Sequence, residues 1–517
     1  MYFDLDFIAK LYNNRNSYAD VFSAEELHAL HVESGIEALL TKYIEQKKLI
    51  FLTGNPGDGK THLIKSLKSI LDVHGAYVEP DANSIKDEEA FLAELTTAVS
   101  EGKPCIVAIN EYPLISLLKR LGDRLPGFQQ IISQREKGII YNKGSEETVK
   151  EVVVVDLNNR NLLSKDMLEK TLNKLLDISK PCEDCTEIKG CAGSDNLIKL
   201  KHPVVQQRLF SVIEKIGSIG LHVVMRDILG FFAYIITSGK KCVLRKNEDS
   251  GTNDYYNLIF NGSNELFAAL AIFDPYHYSH PEIDEHLWNG TLTEGWLFED
   301  KYDAPEYSDE PLEAFKALKR RFYFENERGN ELLDLLPTEY KAYYDVMIQG
   351  YDRQEEMIKK IISGINKFFN PDDHEDDKLK IWTTHKYELR TYPRVAVASK
   401  YAYSNQIELL VPRLPTHLKE MEYVPDHFLF RVYKSKEKAF VELRIDLNLY
   451  RVLTLVQIGY PSQLVPEQHQ FKLLRFMNEL SSLESTSRAN EFLIRDMDNR
   501  SLYRVKVNNA QYVSKRG

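Results

Sequence analysis

Cysteine is scarce in this chain, with five in 517 residues. That is too few to staple a fold of this length with disulfides. A membrane-spanning run is also missing. The most apolar stretch, 228–237, is about half the ~20 residues a bilayer demands, and Arg226 and Asp227 precede it at once. The N-terminal MYFDLDFIAK has no basic region before an apolar core, so no secretory signal is expected. Positive charge is not in excess: 66 Lys+Arg stand against 77 Asp+Glu, a net −11, which excludes a nucleic-acid coat held by bulk charge. Internal repeats and low-complexity tracts are missing too. What remains is a cytoplasmic protein without a membrane partner. Its length and 43% hydrophobic content allow three or four domains with sizeable cores.

The charge is unevenly placed. Residues 391–517 hold 19 Lys+Arg and 13 Asp+Glu, a surplus of six, so residues 1–390 carry −17. Acid gathers between Glu282 and Glu313 and in the run 372–377, which reads as a solvated face and a loop. The two ends of the chain therefore suit different partners.

Periodicity predicts a helix over 24–47, with Ser23 before it and Glu25 and Glu26 in its first turn. The apolar run 48–53 is too short for a helix and is followed by Gly54, so it reads as a buried strand. Helix is expected from Lys60 to His74, over 86–101 and over 114–121. Strands are expected at 76–79, 104–109 and 151–157, with a helix again from Leu163. Alternation of this kind implies a parallel sheet with helices on both faces. From 203 to 365 the pattern is mostly helical. From about 380, short β-branched and aromatic runs at 380–384, 394–398, 406–411, 428–433, 491–495 and 503–507 read as strands, with helices at 447–458 and 469–482. The expected division is an N-terminal helical segment (1–47), an α/β core (48–202), a helical lid or middle domain (203–370) and a β-rich α+β domain (371–517).

The strongest local signal is Gly54-Asn-Pro-Gly-Asp-Gly59-Lys60-Thr61, which fits G-x-x-x-x-G-K-[ST] with a strand before it and a helix after it. Gly54, Asn55, Pro56, Gly57, Asp58 and Gly59 can wrap backbone N–H groups around phosphate oxygens. Lys60 would reach the β/γ-phosphates, Thr61 would hold Mg²⁺, and His62 borders the same turn. The fold class implied is an AAA+-like α/β P-loop NTPase, with ATP and Mg²⁺ as ligands. Hydrolysis needs a group behind the cation and one that orients water. At the end of strand 104–109, Asn110 and Glu111 take these roles, with Asp156 as a rival for the cation. Asn158 or Asn159 would sense the γ-phosphate. Arg160 follows as a phosphate-contacting or trans-acting arginine, against the plain alternative of a carboxylate-paired one. Arg226 would open a lid helix and reach the γ-phosphate. In a homo-oligomer, Arg160 and Arg208 are the arginines placed to reach a neighbouring subunit. Cys182, Cys185 and Cys191 have the beginning of a structural zinc site, with His202 or the more distant Cys242 as fourth ligand, against free thiols in a loop. Cys105, on a buried strand, reads as core.

Four stretches together resemble a known group. They are 31–37 leading into 48–61, Ala108-Ile-Asn-Glu111, the cysteine cluster with Asn196 and then Met225-Arg-Asp-Ile-Leu229, and 443–450 with Gly459-Tyr-Pro461. They are similar to the ATPase component of DNA phosphorothioation-dependent restriction systems, the DptF family, and to related prokaryotic anti-phage ATPases of the AAA+ class. The resemblance implies a cytoplasmic ATPase working with a partner nuclease or translocase on foreign DNA. Two other readings stand beside it. One is a nucleotide-gated assembly scaffold with little hydrolysis, suggested by the neutral Asn110. The other is a DNA-loading or replication-initiator ATPase that touches DNA through its basic C-terminal domain.

Overall fold

Strand β1 (Leu49–Thr53) is buried along its whole length, as an apolar run between two flanking strands must be. It pairs in parallel with β3 (Cys105–Ala108) on one side and with β4 (Val152–Asp156) on the other. The short β2 (Tyr77–Glu79) adds to the far side of β3. The order is β2-β3-β1-β4. Alternate residues supply two cores. Ile50, Leu52, Ile106, Val153 and Val155 face the helices Gly35–Glu45, Lys60–Ser66 and Lys68–Val73. Phe51, Val107 and Val154 face Glu88–Ser100, Glu111–Leu121 and Phe128–Glu136. The α/β arrangement with both faces covered is thus present. Cys105 is core as expected, and burial pushes its thiol up to about 11, away from reactivity.

The computed structural model describes residues 2–13, 21–55, 58–136, 151–179, 191–241, 253–299, 302–332, 338–349, 354–384, 395–433, 439–482, 487–496, 501–508 and 511–516. None of its described helices is long and apolar enough to cross a membrane. The chain forms two compact units, which cut the sequence otherwise than the four expected segments. The first holds the described residues up to Leu332 and, from much further on, Leu414–Val424. It contains the parallel sheet and the helices of 203–332, among them Pro203–Gly217, Met225–Thr237 and Pro311–Glu325. The second holds 338–413 and 425–516.

The helix Gln354–Phe369 belongs to this second unit rather than to a helical middle domain. Gly364 lies against Leu453 of the helix Leu447–Gln457, where an added Cβ would sit 2.8 Å from the Leu453 carbonyl oxygen. Asn366 donates to the carbonyls of Glu375 and Lys378 and accepts from Lys380 N–H. Two antiparallel sheets complete this unit. The strands β5 (Lys378–Thr384), β6 (Val395–Tyr403), β10 (Ser487–Asp496), β11 (Ser501–Asn508) and β12 (Gln511–Arg516) form the order β12-β11-β10-β6-β5. The strands β7 (Ile407–Leu410), β8 (His427–Tyr433) and β9 (Phe440–Asp446) form the other. Strands β9 and β12 lie outside the runs expected from the sequence. The acidic run 372–377 is exposed except at Asp373, which is 3% exposed and pairs with Lys380 at 2.5 Å.

Candidate functional site

The C-terminal ends of β1, β3 and β4 converge on the loop Gly54–Thr61. Gly54 has φ +148°, and a Cβ there would meet Asp58 Oδ2 at 2.6 Å and Leu157 Cβ at 3.0 Å, so only glycine fits. Gly59 has φ +84° and leads into the Lys60–Ser66 helix. Pro56 and Gly57 lie outside the described residues. Lys60 is buried, and its Nζ donates to the carbonyls of Gly54 at 2.9 Å and Asn55 at 2.8 Å. Burial lowers its pKa, opposed by the carboxylates of Asp58, Asp81 and Asp156. Thr61 and His62 are exposed.

Asp58 closes the loop on itself. Its Oδ2 accepts the Asn55 N–H at 2.5 Å, and its Oδ1 is 2.9 Å from His222 Nε2. That hydrogen bond raises the His222 pKa against burial, and Asp227 and Asp156 add to the rise. His222 lies just before the Met225–Thr237 helix, whose first turn carries the exposed Arg226.

Two strand ends carry the polar groups. After β3, the Asn110 backbone N–H donates to Asn83 Oδ1 at 2.7 Å. Glu111 then opens a helix and forms an ion pair with Arg135. After β4, Asp156 Oδ1 accepts from Asn158 N–H at 3.0 Å, and the Asn159 side chain is 3.5 Å from its Oδ2. Burial raises the Asp156 pKa, and the Glu111 carboxylate adds to that. Asn158 Oδ1 is buried with no partner among the described residues.

A cavity of about 230 Å³ adjoins the loop at Asp58 and Gly59. Its walls include Leu30, His31, His62, Arg160, Arg226 and Leu229. His31 is 3.2 Å from Glu37, whose Oε1 also accepts from Ser66 at 2.8 Å. The Glu37 hydrogen bond raises the His31 pKa. The His31 and His62 ring centroids are 5.7 Å apart.

Arg160 adopts the plain alternative: its Nε donates to Glu422 Oε2 at 2.8 Å, with the two side chains 9% and 6% exposed. It nevertheless lines the cavity. Glu422 Oε1 also accepts the Gly35 N–H at 2.6 Å, and its carbonyl accepts Asn161 N–H at 2.9 Å. Arg208 is corrected outright as an arginine reaching a neighbour. It is 4% exposed, and its guanidinium donates to the carbonyls of Tyr323, Asn326 and Glu327. Both terminal nitrogens of this buried fork are held by local acceptors.

Of the zinc candidates, Cys182, Cys185 and Cys242 lie outside the described residues. Cys191 precedes the helix Ala192–Lys199. His202 uses Nδ1 to accept the Val204 N–H and packs edge-on against Phe298. Among the described residues no group of three or more His, Cys, Asp or Glu could hold a metal ion.

The structure thus brings together the loop, Asn110, Glu111, Asp156, Asn158, Arg160 and Arg226 around one end of the sheet. Sequence reasoning missed the Asp58–His222 link, the His31–Glu37 wall and Glu422. The signature Ser34-x-x-Glu37 was a legible signal for Glu37. Nothing local pointed to Glu422. No family model, curated protein or solved structure matches the chain.

Proposed function

We propose that this chain binds ATP with Mg²⁺ and hydrolyses it, as an AAA+-like P-loop ATPase of an anti-phage defence system. The observation that carries the reading is the Gly54–Thr61 loop at the end of β1, an interior strand of a parallel sheet, with a cavity of about 230 Å³ beside it. Open α/β sheets bind ligands at this edge, where the chain switches from one side of the first strand to the other.

In this reading the triphosphate lies along the loop and the base enters the cavity. Lys60 exchanges the two carbonyls it now holds for phosphate oxygens. Asn55 N–H exchanges the Asp58 carboxylate for phosphate. Arg226, at the cavity wall, meets the γ-phosphate side. The Thr61 hydroxyl and a side chain from one of the two neighbouring strand ends would hold the hard cation, and the unpartnered Asn158 Oδ1 adds an acceptor. Bound Mg²⁺ supplies charge neutralisation on the phosphates. Glu111 takes the proton of the attacking water as its oxygen bonds to the γ-phosphorus. The bond to the β–γ bridging oxygen breaks, and ADP leaves with that electron pair.

Turnover and binding of three chains test the reading. Lys60→Ala should lose ATP affinity by tenfold or more, seen with a fluorescent ATP analogue. Glu111→Gln should keep affinity and lose turnover about a hundredfold. Equal turnover in wild type and both variants overturns the assignment. The defence role is supported by the four resembling stretches. A plaque assay checks it: protection by the intact system should disappear with Lys60→Ala.

A further inference from the structure

The nucleotide reading needs a carboxylate behind the cation, and the sequence offers two strand ends for it. Asn110 follows β3 and Asp156 ends β4. Both strands flank β1, so adjacency alone does not choose between them. Register and chemistry do. Asp156 is the direct partner of Thr53, the last residue of β1 before the loop. Thr53 is 4% exposed, and its hydroxyl lies 3.5 Å from the neighbouring Val155 carbonyl. Charged groups from four other segments act on or feel Asp156: Lys60 from the loop, Glu111 after β3, Arg135 from the helix Phe128–Glu136, and His222 before Met225–Thr237. Asp156 therefore lies within electrostatic reach of charged groups from four segments around the loop.

Its contacts favour a charged carboxylate. Oδ1 accepts one backbone N–H at 3.0 Å, Oδ2 lies 3.5 Å from the Asn159 amide, and the Thr53 hydroxyl bonds to the carboxylate from the end of β1. Two residues on, Asn158 Oδ1 is buried with no partner among the described residues, an independent sign that this turn has acceptor capacity to spare. Asn110 offers less. It carries no charge, and its backbone N–H is committed to Asn83. Magnesium loses water reluctantly and is held through one or two carboxylates, directly or through its waters, so an amide is a poor substitute.

We propose that Asp156, rather than Asn110, is the carboxylate that holds the divalent cation of the nucleotide site. This rests on the nucleotide reading above and changes one consequence of it: the neutral residue after β3 does not leave the site without a cation-holding acid. Glu111 and Asp156 then divide the labour between water and cation, from strands on opposite sides of β1.

The test uses the full chain with Mn²⁺ as probe and a non-hydrolysable ATP analogue, read by electron paramagnetic resonance and by analogue affinity with and without chelator. Wild type should bind the analogue without metal and more tightly with Mn²⁺. Asp156→Asn should keep metal-free affinity within about twofold and lose tenfold or more in Mn²⁺ affinity of the complex. Asn110→Ala should keep Mn²⁺ affinity within about twofold. Wild-type Mn²⁺ affinity in Asp156→Asn, or the loss falling on Asn110→Ala, overturns the proposal while leaving nucleotide binding intact. Should Asp156→Asn not fold, Asp156→Glu keeps the charge but moves the carboxylate; a threefold or larger fall in Mn²⁺ affinity supports the assignment, and no change overturns it. A wild type that binds no analogue under any condition overturns the nucleotide reading itself.

Discussion

At the loop, single carboxylates decide what the backbone can offer. Asp58 occupies the Asn55 N–H and holds His222, so an incoming phosphate must displace an anion already in place. Because His222 has a raised pKa, protonation strengthens this clasp. The stabilisation is fully present below the ordinary histidine value and is lost as pH rises through the raised one. ATP affinity of the wild type should therefore rise several-fold between about pH 6 and about pH 8. His222→Gln should flatten that rise; the titration of ATP itself is common to both chains and cancels in the comparison. A companion expectation concerns charge. Asp58→Asn removes a negative group near Lys60 and should tighten ATP binding by up to about fivefold, ~1 kcal/mol in a partly solvated site. Fluorescence titration reads both. The glycine pattern and Lys60 were legible in the sequence, because phosphate-loop chemistry is confined to eight consecutive residues. The Asp58–His222 link was not, because its partners are 164 residues apart.

Elements were mostly legible, and their breaks were not. The expected helix over 24–47 is two helices, Ala24–Leu30 and Gly35–Glu45. The first begins with a reciprocal capping box and the second with half of one. Ser23 and Glu26 cap each other's backbone, whereas at the second start only Glu37 reaches back, accepting the Ser34 N–H at 3.1 Å. The second start is fixed from outside the helix as well. The segment Leu414–Val424 lies against Gly35, where a Cβ would come 2.0 Å from the Glu420 carbonyl oxygen. Tyr43 of the same helix donates to the His417 carbonyl at 2.6 Å. Gly35→Ala should therefore cost about 1–3 kcal/mol through overpacking. Glu422→Ala should cost more, about 3–5 kcal/mol, because it leaves the Arg160 guanidinium buried without its acid. It also strands the Gly35 N–H. Urea unfolding of the full chain orders the two, and equal melting of wild type and Glu422→Ala would show that Arg160 finds another partner at no cost.

The whole molecule is not a string of segments. The first unit is discontinuous: Leu418 and Met421, 2% and 3% exposed, complete the core formed by Ile36, Leu39, Leu40, Ile106 and Val153. A chain ending at residue 335 loses both side chains along with Glu422. It should unfold at clearly lower denaturant than the first unit does in the full chain, since burying each of these side chains is worth about 2 kcal/mol. Adding a peptide of residues 412–426 should recover part of the loss. The same discontinuity makes 48–202 a poor domain boundary, although every strand within it was legible. The charge contrast between residues 1–390 and 391–517 needs the same correction, because part of the basic segment's sequence, 414–424, folds with the acidic unit.

The sequence by itself determined the strands β1 to β4, the loop between β1 and its helix, and the parallel α/β class. These follow from apolar runs, turn glycines and capping residues whose physics acts within a few neighbours. Only the tertiary structure decided that Arg160 belongs to Glu422 and that Arg208 is spent on three carbonyls. It also put Asp156 and Asn110 on opposite sides of β1. Those outcomes depend on which surfaces dock over separations of 262 and 115 residues. A buried charge takes whichever partner docking brings to it, since leaving it unpaired costs several kcal/mol. Local pattern carries no record of that choice.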